Sequence, residues 1–291
     1  APDYLKNVVG DKILTQAYKI VDAFFAHEDS VTLDIQDLPN NFADKLGYAA
    51  SLLCPQFAAF NNYNSMKDLN LKTGKFTFRY VVDKEEIDKK TAELEKKVSE
   101  IMSDLCEGDS DTMRALIIYN DLTRNASYDN DLPKNVKEDD TNFIYVTSAY
   151  SAILDGLGIC TSYARALSFL YTQADIDAGV VSSSVGEQHE WTIAKLNDKY
   201  YYFDATWDLG GYIKYFGITS ADRAALWAGE YPENSCTAYE IVVPEKYNIT
   251  DERFSELRNY GSDVSAKLEA DRTAYVVHVP TSYNTFDIDC K

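Results

Sequence analysis

Histidine is scarce in this chain of 291 residues: only His27, His189 and His278 are present. Any chemistry that needs an imidazole therefore has three addresses. Positive charge is also short, with 28 Lys and Arg against 47 Asp and Glu and a formal net charge of -19. Such a surface repels phosphate backbones and anionic membranes, so nucleic acid is not an expected partner. No apolar run approaches the roughly 18 residues of a membrane span, and no membrane insertion is expected. No segment alternates oxygen ligands around a Gly turn as an EF-hand loop must. None of the five cysteines has C-x-x-C spacing, so a zinc site is not read either, and no metal or cofactor is expected. Repeats, low-complexity tracts and Gly/Ser linkers are missing as well. The opening APDYLKNVVG has no charged and apolar leader. A signal peptide is thus expected to have been removed or never to have been present.

What is abundant is tyrosine, 22 residues of it, suited equally to core and to contact surface. The chain is long enough to bury a substantial core without disulfides or metals. Leu5, Val8, Val9, Ile13, Ala17, Ile20, Val21 and Phe24 fall on one helical face over 3–26, with Asp3 as N-cap. VTLDI at 31–35 reads as a strand, the stretch after Pro39 as a helix, and KFTFRYVV at 75–82 as a strand. An apolar stripe from Ile87 to Leu105 marks a charged helix, and another helix is predicted from Ser110 or Asp111 to Arg124. YDNDLPKNVKEDDTN then reads as a long exposed loop suited to shaping a substrate site. From Cys160 onward the pattern is a helix, three strands and a Gly-Gly break, an order that argues α+β. Residues 237–291 offer a strand at YEIVV, a helix opened by Thr250 and Asp251, and a strand at TAYVVHV.

Cys54 lies in an apolar stretch and reads as core; Cys236 and Cys290 bracket the C-terminal segment and are the expected disulfide pair. With Cys160 set aside, Cys54, Cys106, Cys236 and Cys290 allow two disulfides or free buried thiols. Cys160 follows GLGI and opens a helix. Unpaired N–H groups and the positive dipole end there favour a thiolate and supply oxyanion donors, although a buried Cys is as often a small hydrophobe.

The two strands after it add a base and an acid. His27 follows a packing helix and His278 lies inside a strand, so both have structural explanations. His189 begins a predicted strand. If Asn197 and Asp198 form a two-residue turn, Leu196 pairs with Lys199, Trp191 with Asp204 and His189 with Thr206. His189, Trp191, Tyr202 and Asp204 then share one face. His189 and Asp204 become diagonal neighbours about 7–8 Å apart at the backbone, a gap their side chains can close. A slip of one residue would move Asp204 to the other face. Of the rival acids, Glu190 is expected to point away from His189, and Asp208 to serve a cap or turn beside the Gly-Gly break. Asp204 is expected to accept the Nδ1–H, leaving Nε2 to take the thiol proton.

These residues carry a resemblance. The run AYSAILDGLGICTSYARALSFLYTQADIDAGVVSSS, followed by HEWTIAKLNDKYYYFDATWD, resembles the core of bacterial transglutaminase-like proteins. The shared features are a G-x-C-x-x-Y-A motif, an H-x-W strand and a D-x-T-W-D strand end. IIYNDLTRNASYDND also resembles the family's helix ending in a Tyr-Asp pair, here Tyr128 and Asp129. The resemblance implies a papain-like α+β fold, with the nucleophile helix packed on an antiparallel sheet, and a Cys160–His189–Asp204 triad. It divides the chain into an N-terminal α/β extension at 1–109, a catalytic core at 110–235 and a C-terminal strand-helix-strand segment at 236–291. Trp191, Tyr128, Thr161 and Tyr202 are the expected substrate-binding or supporting residues, and Trp207 reads as core. The implied activity is cysteine-dependent acyl transfer or hydrolysis on protein or peptide amides through a thioester, in an extracellular or cell-surface setting. A noncatalytic surface scaffold keeping the fold is the alternative. The sequence departs from the family at Thr161-Ser162, where relatives often have Gln-Gly, and at Tyr119-Asn120-Asp121, where they often have His-Asp-Tyr.

Overall fold

The computed structural model describes residues 2–63, 65–132, 141–183, 189–227 and 249–259, with strands at 265–268, 274–279 and 284–289. Asp3–Val9 form α1 and Asp11–Phe25 form α2. The predicted single helix breaks at Gly10, whose φ of 87° lies where side-chain-bearing residues are strained, and Asp3 sits inside the first turn with Pro2 as the cap. A short β1, Ser30–Thr32, pairs antiparallel with β2, Lys75–Thr77. The strand predicted to Val82 leaves β1 after Thr77 and turns to the 60–62 stretch, where Tyr80 bridges Asn61, while Phe76, Phe78 and Tyr80 join an aromatic cluster with Phe24 and Phe57. The stretch after Pro39 makes α3 at Phe42–Leu53 and α4 at Pro55–Phe60. Cys54 caps α4 by accepting from the Phe57 N–H at 3.3 Å; burial pushes its thiol up to about 12. It is a packing residue. The turn Ser65–Asp68 is α5.

The charged helix is α6, Lys84–Met102, opened by an Asp83 cap, and α7 is Asp111–Arg124, opened by Ser110. Both match the apolar stripes in the sequence. After α7, β3 at Ser127–Tyr128 runs parallel to β4 at Leu157–Gly158. Between them lie α8, Thr141–Val146, and α9, Ala149–Leu154. Most of the expected shaping loop, 133–140, falls outside the described residues.

The helix that begins at Cys160 is α10, Cys160–Gln173. It packs on an antiparallel sheet of β5 (Ala178–Ser183), β6 (His189–Leu196) and β7 (Lys199–Phe203), with β6 in the middle. Leu196 pairs with Lys199, and Asn197 and Asp198 both have positive φ, as a type I′ turn requires. The register is the one counted from the sequence as far as Thr192 with Phe203; β7 ends there, so the further pairs Trp191–Asp204 and His189–Thr206 do not form. The Thr192 hydroxyl donates to the Ala164 carbonyl at 2.9 Å, fastening β6 to α10. The edge of the sheet is covered from the N-terminal side. Tyr4 and Tyr48 hydroxyls donate to Val180, and a Cβ on Gly179 would fall within 2.0 Å of the Tyr4 ring. An exposed edge strand invites pairing with other chains, and these tyrosines close it.

Helices and small sheets together make an α+β fold. The remaining helix is α11, Ser220–Trp227. Where an α-helix was expected after Thr250, the chain makes a single 3₁₀ turn at Ser255–Asn259. Phe254 just before it packs edge-on against Tyr201 and Phe216. The last three strands, β8 (Ser265–Leu268), β9 (Ala274–Val279) and β10 (Asn284–Asp289), pair only with one another among the described residues. His278 lies in β9 as expected. The YEIVV segment, Cys236 and Cys290 lie outside the described residues. Among the described residues, no helix is long and apolar enough to cross a membrane.

Candidate functional site

The site forms where α10 and β6 begin and β7 ends. The glycine of G-x-C is required sterically, because a Cβ on Gly158 would stand 2.6 Å from Ser162 Cβ. Ser162, at the third helical position, accepts from the Ile159 N–H at 3.0 Å and is fully buried. Here the Thr161-Ser162 departure acquires a local role, since the serine closes the helix start. Thr161 is partly exposed beside it. The motif tyrosine, Tyr163, donates its hydroxyl toward the carbonyls of Ser127 and Gly156 at 2.7 and 3.0 Å. It thereby ties β3 and β4 to α10 and fixes the approach to Cys160.

His189 stands at the start of β6, and Asp204 is the first residue after β7. His189 Nε2 and Asp204 Oδ2 are 2.6 Å apart, with the carboxylate fully buried and the imidazole nearly so. Asp204 Oδ1 accepts from the Thr206 and Trp207 N–H groups at 3.1 and 3.2 Å, and the Asp204 N–H donates to the Tyr215 carbonyl. Every oxygen of the carboxylate is engaged. Burial alone would lower the His189 pKa, but the charge and hydrogen bond of Asp204, followed by those of Cys160, raise it to about 10. Cys160 therefore lies near enough to add to the field around this imidazole. Nε2, not Nδ1, is the nitrogen turned to Asp204. This reverses the expected assignment of the two nitrogens. The face a side chain occupies follows from strand alternation, but the ring's rotation about χ2 follows from packing.

Aromatic residues hold the imidazole in place. Trp191 stacks on it at 5.9 Å and 24°, and Tyr202 meets Trp191 edge-on at 6.2 Å. Both are buried, and the Arg223 guanidinium lies 5.1 Å above the Trp191 ring. Tyr202 supports the site through Trp191. Trp207, expected in the core, is 40% exposed. It stands edge-on to His189, and its indole Nε1 is 3.1 Å from the same Nε2 that faces Asp204. A ring nitrogen that keeps its proton toward a carboxylate has no lone pair for an indole donor, so Trp207 flanks the pair without sharing the bond. Tyr128 is exposed on β3, opposite Gly158.

Glu190 points to the other face, as counted, and faces Arg165 at 3.4 Å. His27 lies remote at the end of α2, against Asp88. Asp208 lies in the turn before the Gly-Gly break, as expected. It is fully buried, with Oδ2 receiving the Tyr215 N–H at 2.7 Å and the Tyr119 hydroxyl at 2.7 Å. No sequence signal at Tyr119 marked this contact except its departure from the family pattern.

Residues 89–205, which carry the G-x-C-x-x-Y-A and H-x-W motifs and the Asp204 that opens D-x-T-W-D, match the family described as the transglutaminase-like superfamily. This segment is a transglutaminase-like core. It begins within α6 and ends one residue past Asp204, so it contains Cys160, His189 and Asp204. A solved structure described as a TGase is similar at 15% identity, with a TM-score of 0.35, over 43% of this chain and 34% of that one. The likeness therefore spans about a third of that protein's length. A comparison with curated proteins finds no match. Within the transglutaminase-like core, Cys160 opens α10 while His189 and Asp204 meet where β6 begins and β7 ends.

Proposed function

We propose that this protein is a cysteine-dependent enzyme that acts on protein or peptide amides through a thioester, with Cys160 as nucleophile, His189 as acid and base, and Asp204 as the group that orients His189. The observation that carries this reading is the 2.6 Å contact between His189 Nε2 and Asp204, and Cys160 is close enough to the same ring to raise its pKa. An imidazolium beside a sulfur is the setting in which cysteine attacks a carbonyl carbon. The Cys160 N–H, among the first amides of α10 and without an intrahelical acceptor, supports the oxyanion. As the tetrahedral adduct collapses, the C–N bond breaks and His189 Nδ1 gives its proton to the departing amine. A second nucleophile, water or a primary amine, then attacks the thioester carbonyl. It loses its proton to His189 and expels the Cys160 sulfur.

Incubating a glutamine-containing protein with a labelled primary amine separates the outcomes: amine incorporation, ammonia release and chain cleavage report transfer, deamidation and proteolysis. At least one signal is expected from the wild type and none from Cys160→Ala. The same signals from Cys160→Ala would remove Cys160 from the reaction.

A further inference from the structure

Asp208 lies four residues past Asp204 and is fully buried, yet among the described residues its Oδ1 has no hydrogen-bond partner. Its Oδ2 is 2.7 Å from the Tyr119 hydroxyl, and the same hydroxyl is 2.9 Å from the backbone carbonyl oxygen of Asp204. Three oxygens therefore stand in line, and the hydrogens among them can be counted. A carbonyl carries none, an ionised carboxylate carries none, and a tyrosine carries one. With Asp208 ionised, Tyr119 satisfies one neighbour and confronts the other lone pair to lone pair, in a dry site where an unmade bond costs most. A proton on Asp208 Oδ2 removes the deficit. Oδ2–H donates to Tyr119, Tyr119 donates to the Asp204 carbonyl, and Oδ2 keeps a lone pair for the Tyr215 N–H 2.7 Å away.

We propose that Asp208 is held as a neutral carboxylic acid, and that through Tyr119 it is a positioning residue that fixes the backbone from which the Asp204 carboxylate reaches His189. Its functional meaning rests on the reading of Asp204 as the orienting acid; the protonation itself does not.

The surrounding charges agree with the hydrogen count. Burial pushes the Asp208 carboxyl up and the Asp204 charge adds to it, while the bonds from Tyr119 and Tyr215 and the Arg258 guanidinium pull it down, leaving it at about 7. Burial also lifts Tyr119 well above an ordinary phenol, so it remains a donor. Tyr119 faces Asp208 from α7, Tyr215 from the stretch after the Gly-Gly break, and Arg258 from the C-terminal 3₁₀ turn. Arg258 is already engaged by Asp222 of α11 at 3.6 Å and by the carbonyls of Lys214 and Phe216. Its charge is thus only partly directed at Asp208. Because the folded pKa lies above the ordinary 3.8, the stability from neutral Asp208 is full below about 3.8 and is lost as pH rises through about 7.

Infrared difference spectra of the intact protein taken on either side of about pH 7 test the protonation directly. A protonated-carboxyl C=O band is expected below that pH and not above it. It should vanish in Asp208→Asn and shift in Tyr119→Phe, which supplies the assignment if the asparagine variant does not fold. Thermal unfolding should show the wild type losing stability across the same window and Asp208→Asn, whose side chain does not titrate, losing less. In turnover assays, Tyr119→Phe should lower kcat by on the order of ten- to a hundredfold with KM little changed, as misplacement of a reacting group does. A spectrum with no band sensitive to either substitution would overturn the proposal, as would an Asp208→Asn protein as pH-sensitive as the wild type. Failure of every substrate would count against the enzyme reading, while the spectra and unfolding curves would still decide the protonation of Asp208.

Discussion

At the residue scale, the site turns on which way one imidazole faces. His189 is buried, which by itself favours the neutral ring, and Asp204 reverses that preference to give a pKa of about 10. Asp204→Asn removes the charge and keeps the shape. We expect the His189 titration, followed by NMR, to move downward, and kcat/KM to fall by roughly 10²–10⁴-fold, the usual worth of a positioned acid and base. The linkage has a definite sign. A histidine with a raised folded pKa contributes stability that is full below the ordinary 6.5 and is lost as pH rises through about 10. Thermal unfolding of the wild type should therefore decline toward about pH 10 more steeply than that of Asp204→Asn. Much of this residue set was legible in the sequence. Three histidines, a two-residue turn and strict alternation placed His189 and Asp204 on one face. The choice of ring nitrogen, the exposure of Trp207 and the burial of Asp208 were not legible, because each depends on rotamers and on partners distant in sequence, such as Tyr119.

At the element scale, the junction of β4 with α10 delivers Cys160. Gly158 leaves room for Ser162, and Ser162 closes the helix start, so the two positions are coupled. Gly158→Ala forces a contact that only a shift of the junction relieves. We expect it to cost about 1–3 kcal/mol in denaturant unfolding, as overpacking does, and to slow alkylation of Cys160. Thr192→Val, which removes the bond from β6 to Ala164, is expected to cost about 1 kcal/mol by the same measurement. Both α7 and α10 could be read from sequence because each has a clear start signal and a sustained apolar stripe. The break at Gly10 and the early end of β2 could not. The helical periodicity continues across the glycine, and after Thr77 the chain exchanges β1 for the 60–62 stretch, a partner that local pattern does not reveal.

At the scale of the whole molecule, one buried cluster runs from Tyr4 to Leu257, so the N-terminal helices, the sheet and the 249–259 stretch share a core. That continuity explains why Tyr4 and Tyr48, far from Cys160 in sequence, close the edge of the sheet that carries His189. The net charge of -19 opposes this compaction, and raising the salt concentration should raise the unfolding temperature by screening it. The central claim is that Cys160 is activated by His189 and Asp204. Its most direct test is iodoacetamide alkylation of the native protein across pH, with the exposed Cys106 of the same molecule as reference. Cys160 should react selectively at pH values well below roughly 8.5, where a free thiol is protonated, and it should lose that advantage in His189→Ala. Labelling of Cys160 no faster than Cys106 at every pH would contradict the claim.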